Sequence, residues 1–229
     1  MPFMFDSTFL MLIPAIILSI YAQFKVRSTY KKYREVANQA GITGAEVARQ
    51  ILRSNGLDDV AVEEVPGTLS DHYDPRDKTV RLSTDNFRGR SIAALSIAAH
   101  EVGHAIQDAK DYAPLRMRHA ILPVANIGSS LSMWLILAGF FFQFSGLFTA
   151  GILFFSGAVL FQLVTLPVEF NASSRALEQL DGYRYLHRDE MPFARKVLNA
   201  AALTYVAAAA VSVLELVRLL ILRNSMSDD

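Results

Sequence analysis

His100-Glu101-Val102-Gly103-His104 lies inside a helix-like run from Ser91 to Ala109. On a helix, positions i and i+4 sit one turn apart on the same face, so both imidazoles can reach a single metal ion. Glu101 projects to the side, where it can meet a water molecule at the metal rather than the metal itself. Two nitrogen ligands, a base and an open coordination position make the layout of a zinc hydrolase. The competing reading is that two of the five histidines fall into register by accident. The rest of the chain decides between the two.

Working outward, the segment from Gly41 to Gln107 reads as soluble. Thr43 and Glu46 form a capping box that opens a helix running to about Asn55, with Gly56 as its stop. Val60 to Val65 and Thr79 to Ser83 are expected strands, and Asp74-Pro75-Arg76-Asp77 is turn chemistry before the second. Zinc peptidases place an edge strand beside the active-site helix to pair with extended substrate. Thr79, Val80, Arg81 and Leu82 are the expected edge.

Beyond this segment the chain turns apolar. Of its 229 residues, 52% are hydrophobic, and no Asp, Glu, Lys, Arg or His occurs from Ala120 to Val168. That length holds two spans of about 20 residues each. They are placed near Ile121 to Phe142 and Leu147 to Leu166, joined by Gln143-Phe144-Ser145-Gly146, so the chain leaves one membrane side and returns to it. Thr8 to Phe24 is a further apolar run. Only Asp6 is charged before it, whereas Lys25, Arg27, Lys31, Lys32 and Arg34 follow. This pattern predicts a retained anchor with its C-terminal end in the cytoplasm rather than a cleaved signal. Ala200 to Leu222 is apolar but carries Glu215 and Arg218, and is read as a fourth span in preference to a surface helix. The tail, Asn224 to Asp229, is expected to be disordered.

Formal net charge is zero, which gives no electrostatic case for nucleic acid. The absence of cysteine excludes disulfides, thiolate zinc sites and cysteine nucleophiles.

Catalytic zinc needs a third protein ligand. Glu169 directly follows the second span of the hairpin, and His104 lies shortly before the first. An out-and-back hairpin therefore returns Glu169 to the membrane face of the histidines. Glu178, Asp108, Asp181, His187, His72 and His119 are the alternatives. Glu178 lies nearly opposite Glu169 on the same helix, and Asp108 is better placed to orient a ligand than to be one.

The anchor, the Asp71-His72-Tyr73-Asp74-Pro75-Arg76 and Val80-Arg81-Leu82-Ser83 runs, the His100–His104 motif, the hairpin and Glu169-Phe170-Asn171-Ala172-Ser173 together carry a family resemblance. The chain resembles the YugP-type membrane zinc metallopeptidases, bacterial relatives of HtpX and the CAAX prenyl proteases in the gluzincin group. The resemblance covers nearly the whole chain. It implies one zinc ion per chain held by His100, His104 and Glu169, with Glu101 as general base. It also implies a role in membrane quality control. In gluzincins the third ligand belongs to an E-x-x-x-D element whose aspartate supports a zinc-bound histidine. Here Ser173 stands in the aspartate's place, leaving Asn171 or Asp108 as other supports. His72, Tyr73, Arg175 and Tyr183 are unranked candidates for stabilising the oxyanion.

The expected architecture is a mostly α membrane protein, with three to four transmembrane helices and a small α+β zincin-like catalytic domain whose short sheet lies beside the motif helix. Its expected parts are an anchor (1–24), a cytoplasmic catalytic region (25–118), a transmembrane hairpin (119–168), a third-ligand region (169–199) and a C-terminal apolar helix with tail (200–229). The expected activity is zinc-dependent endopeptidase at the cytoplasmic face of a bacterial membrane, with lipid bilayer around it and a peptide or membrane protein as substrate. An intramembrane protease of the site-2 type would bury the motif in a span, yet Arg88, Arg90, Asp108, Lys110 and Asp111 flank it. A scaffold or chaperone-like protein with a vestigial motif would have lost a ligand or the base, and none is lost. A transporter would need charge in the hairpin.

Overall fold

The computed structural model describes residues 7–225. Most of the expected tail lies outside that range, while Asn224 and Ser225 close the last helix. The chain divides into two compact units, Gln23–Leu115 with Pro167–Leu203, and Met1–Ala22 with Arg116–Leu166 and Thr204–Asp229. The protein is mostly helical with one small sheet, as its sequence predicts.

In the first unit, helix α1 (Ile13–Arg34) contributes its charged C-terminal part. Helix α2 (Gly44–Ser54) starts at the Thr43–Glu46 capping box. Gly56 ends the segment at φ +70, where a side chain would be strained. Three strands follow: β1 (Ala61–Val65), β2 (His72–Asp74) and β3 (Thr79–Ser83). Their order is β1-β3-β2, with β1 parallel and β2 antiparallel to β3. This overturns one expectation. Thr79–Leu82 is no edge, because β3 is paired on both sides. His72–Asp74, which leads into the expected turn, is the edge strand that packs on helix α4.

A short helix α3 (Thr84–Arg88) leads into α4 (Ile92–Ala109), whose N-cap Ser91 accepts a hydrogen bond from Ala94 N at 3.1 Å. Helix α4 is buried on nearly all sides, because α2, the sheet and the ends of α6 and α7 pack around it. Val47, Ile51, Leu82, Leu95, Val102, Ile106, Leu180 and Leu198 form the shared core. Burying each such side chain contributes about 1.5–3 kcal/mol.

Helices α5 (Ala113–Phe141), α6 (Ser145–Gly182) and α7 (Met191–Ser225) are long. With the helical stretch Thr8–Arg34, they are four segments long and apolar enough to cross a membrane. The polar stretch after Val168 continues α6, which runs through Pro167. In the second unit, Ile136, Phe148, Ile152 and Leu219 form a compact cluster. Gly139 lets α5 approach α6 closely; a Cβ there would lie 2.4 Å from Phe148 N. Small residues at such crossings are the usual means of packing helices in lipid. Outward, Trp134, Phe141 and Leu153 are more than 70% exposed, the pattern of lipid-facing side chains.

Candidate metal centre

One turn of α4 and one turn of α6 meet to form the site. Gly103 makes the approach possible, since a Cβ there would lie 2.7 Å from the Ala172 carbonyl oxygen. With the backbones this close, Glu169 and Ser173, one turn apart on α6, bracket the His100 ring. His100 Nε2 lies 3.2 Å from Glu169 Oε2, and His100 Nδ1 lies 3.2 Å from Ser173 Oγ. His104 Nε2 lies 3.7 Å from the same carboxylate oxygen. The two imidazoles are 4.8 Å apart and nearly perpendicular.

The hydrogen bonds around His104 fix its tautomer. Gln107 Nε2 donates to the Val168 carbonyl at 2.8 Å and to Asn171 Oδ1 at 3.0 Å. A carbonyl only accepts, so the Gln107 oxygen is the atom turned to His104 Nδ1, at 3.0 Å. His104 Nδ1 therefore carries the proton. In the neutral ring, Nε2 then presents a lone pair to a carboxylate, and two acceptors facing each other need a cation between them.

The donor set fits zinc. Tetrahedral ligand atoms about 2.1 Å from the ion lie about 3.4 Å from one another, and the Glu169 oxygen stands 3.2 and 3.7 Å from the two histidine nitrogens, on either side of that value. His100, His104 and Glu169 offer ligand atoms all within 4.8 Å of one another.

Glu101 is 8% exposed and makes no hydrogen bond among the described residues. Burial pushes its carboxyl above the usual range, with Asp71 and Glu169 adding to the rise, and His100 and His104 pulling against it without reversing it. For His104, burial pulls the imidazole down, but Glu169 outweighs it with help from Glu101 and Gln107, and the net direction is up.

The remaining sequence candidates go elsewhere. Asp108 supports neither histidine; it accepts the Tyr73 hydroxyl at 2.9 Å. Burial first, then this bond, raises the Tyr73 pKa. Asn171 reaches His104 only through Gln107, and Arg175 donates to Asn171 at 2.7 Å. His72 is exposed and its Nδ1 bonds the Ser70 carbonyl at 2.9 Å. Glu178, Asp181, Tyr183 and His187 are exposed, and His119 lies on α5 outside the cluster. Gln107 was not among the sequence candidates. Its signal was its place three residues after His104, on the same helical face.

Fold and site define the class: a helical membrane protein with a small sheet and a buried His-His-Glu cluster suited to a metal ion. Residues 8–224 match the family described as "Putative neutral zinc metallopeptidase", and the chain belongs to that family. It is 53% identical over 206 residues to "Putative membrane protease YugP" of Bacillus subtilis (strain 168), a match covering 90% of this chain and 92% of that one. No solved structure matches the chain.

Proposed function

We propose that the protein is a membrane-anchored zinc endopeptidase that hydrolyses peptide bonds near the cytoplasmic membrane face. The observation that carries this reading is the buried convergence of the two histidines and Glu169, with His104 Nε2 turned toward the carboxylate. His100, His104 and Glu169 would hold one zinc ion per chain. Bound there, zinc brings the pKa of a water molecule toward neutrality and polarises a substrate carbonyl.

Glu101 is the general base: it takes the proton from the attacking water and passes it to the leaving amine nitrogen. A carboxylate in the ordinary range would be a weak base for this. Burial, which favours its protonated form, matches it to both halves of the transfer. Ser173 and Gln107 orient the imidazoles from behind. The free edge of β2 would take an extended substrate backbone, since β2 is the edge strand that packs on α4.

The test is zinc content of the purified full chain and of Glu169→Ala in detergent, beside casein cleavage with and without a chelator. The expected result is about one zinc per wild-type chain, in keeping with three protein ligands, and chelator-sensitive cleavage, with both lost in the variant. Metal-free wild type that cleaves nothing would overturn the reading. Unchanged metal in Glu169→Ala would assign the third ligand elsewhere.

A further inference from the structure

A second site lies away from the metal cluster, in a groove of about 540 Å³ between α1 and the start of α7. Lys25 and Lys32 line it from α1 and Lys196 lines it from α7; no Asp or Glu does. All three lysines are exposed, and none has an ion-pair partner among the described residues. Lys32 and Lys196 rest over the neighbouring rings of Tyr33 and Phe193, each at 5.5 Å, which leaves their ammonium groups free to bind an anion.

Thr29 supplies an independent observation. It is 8% exposed, lines the groove and makes no hydrogen bond among the described residues. A helical threonine ordinarily turns its hydroxyl back to the carbonyl four residues earlier. Here the Lys25 carbonyl accepts from Ser28 instead, at 3.1 Å. The Thr29 hydroxyl is open to the groove and has no protein acceptor among the described residues, so it can donate to a bound group.

Charge and one hydroxyl would suit any phosphate. The rest of the lining is more selective, because Ala200 and Leu203 continue the groove as an apolar wall. Position in the sequence agrees. Lys25 directly follows the apolar run Thr8 to Phe24, and Lys196 precedes the apolar run that starts at Ala200. Both cations therefore stand at the headgroup level of the same membrane face, with hydrocarbon on one side.

We propose that this groove binds the phosphate of an anionic phospholipid, with Lys25, Lys32 and Lys196 around the headgroup, Thr29 donating to a phosphate oxygen and Leu203 against the first acyl carbons. The site is independent of the metal centre and of its chemistry.

The test is native mass spectrometry of the full chain in a neutral detergent. The chain is titrated separately with dioleoyl-phosphatidylglycerol, with dioleoyl-phosphatidylcholine and with inorganic phosphate. Wild type should prefer phosphatidylglycerol over phosphatidylcholine by about tenfold or more. The K25Q/K32Q/K196Q variant should lose that preference. A charge-matched control, R27Q/K31Q/R195Q, should keep it, since those side chains do not line the groove. Thr29→Val, which removes the hydroxyl at constant shape, should weaken phosphatidylglycerol about threefold or more. Equal binding of the two lipids, or equal loss in the control, would overturn the proposal. Displacement of the lipid by equimolar inorganic phosphate would make this a free-anion site and overturn the lipid assignment. If the triple variant does not fold, Thr29→Val and Lys196→Gln decide; unchanged preference in both would overturn the proposal.

Discussion

Glu101 is largely buried, its carboxylate makes no hydrogen bond among the described residues, and burial disfavours its charged form. Stability gives no reason to keep it, whereas proton transfer does. Glu101→Gln should therefore keep its zinc and lose about 10²- to 10⁴-fold in turnover, measured as casein cleavage at matched metal content. Retained turnover would remove Glu101 from the base role. Gln107 makes a different prediction, because it acts through His104. Gln107→Ala should weaken zinc about 10- to 100-fold in a competition titration with a chromogenic chelator, by freeing the ring to rotate. Unchanged affinity would show that packing alone orients the ring. At this scale the sequence is half legible. The histidines and Glu101 announce themselves by spacing, and Glu169 by its place after the hairpin. Gln107 does not, because a glutamine is no metal ligand and shows its role only when its amide is seen locked to Val168 and Asn171.

Between elements, α4 and α6 touch at a glycine that belongs to the motif itself. Gly103→Ala would place a methyl group 2.7 Å from the Ala172 carbonyl, and that neighbour is backbone, which cannot swing aside. The helices must separate by several tenths of an ångström, which costs about 1–3 kcal/mol. The separation draws Glu169 and Ser173 away from His100. The expected outcome is a lower unfolding temperature together with weaker zinc binding, read by thermal unfolding with and without added zinc. Equal stability and equal metal affinity in the variant would mean that the helices do not need this contact. The motif revealed α4 and its N-cap at Ser91, because a helix carries its signals locally. The sheet was less legible. A strand of three residues such as His72–Asp74 is too short to show alternation. Whether β3 is central or an edge depends on partners 18 residues before it and a few before its start. The burial of Thr79, Val80, Leu82 and Ser83 is the physical mark of a central strand, and it appears only in the fold. The length of α6 was hidden for another reason. Hydropathy falls after Val168, but a helix is held by its backbone and continues through the change of solvent.

Over the whole chain, the proposed membrane orientation rests on where the cations fall. All but four of the 22 Lys and Arg lie in Gln23–Leu115 and Pro167–Leu203; the others are Arg116, Arg118, Arg218 and Arg223. Crossing by all four candidate spans would put those two segments on one side, and the positive-inside rule predicts that side to be the cytoplasm. Helix α6 carries a direct test. Ser145 at its start and Ser174 beyond Glu169 are both exposed, and the chain contains no cysteine. A straight helix from one to the other is about 43 Å long, at 1.5 Å per residue. That is the full thickness of a bilayer with its headgroups, about 40–45 Å. Ser→Cys changes one atom, so Ser145→Cys and Ser174→Cys should both fold and retain metal. In intact cells a membrane-impermeant maleimide should label Ser145→Cys, and it should label Ser174→Cys only after permeabilisation. The reverse pattern would put the proposed metal ligands on the outer face and overturn the cytoplasmic assignment. Labelling of both in intact cells would mean that α6 does not cross, and the hairpin argument that singled out Glu169 would fall with it.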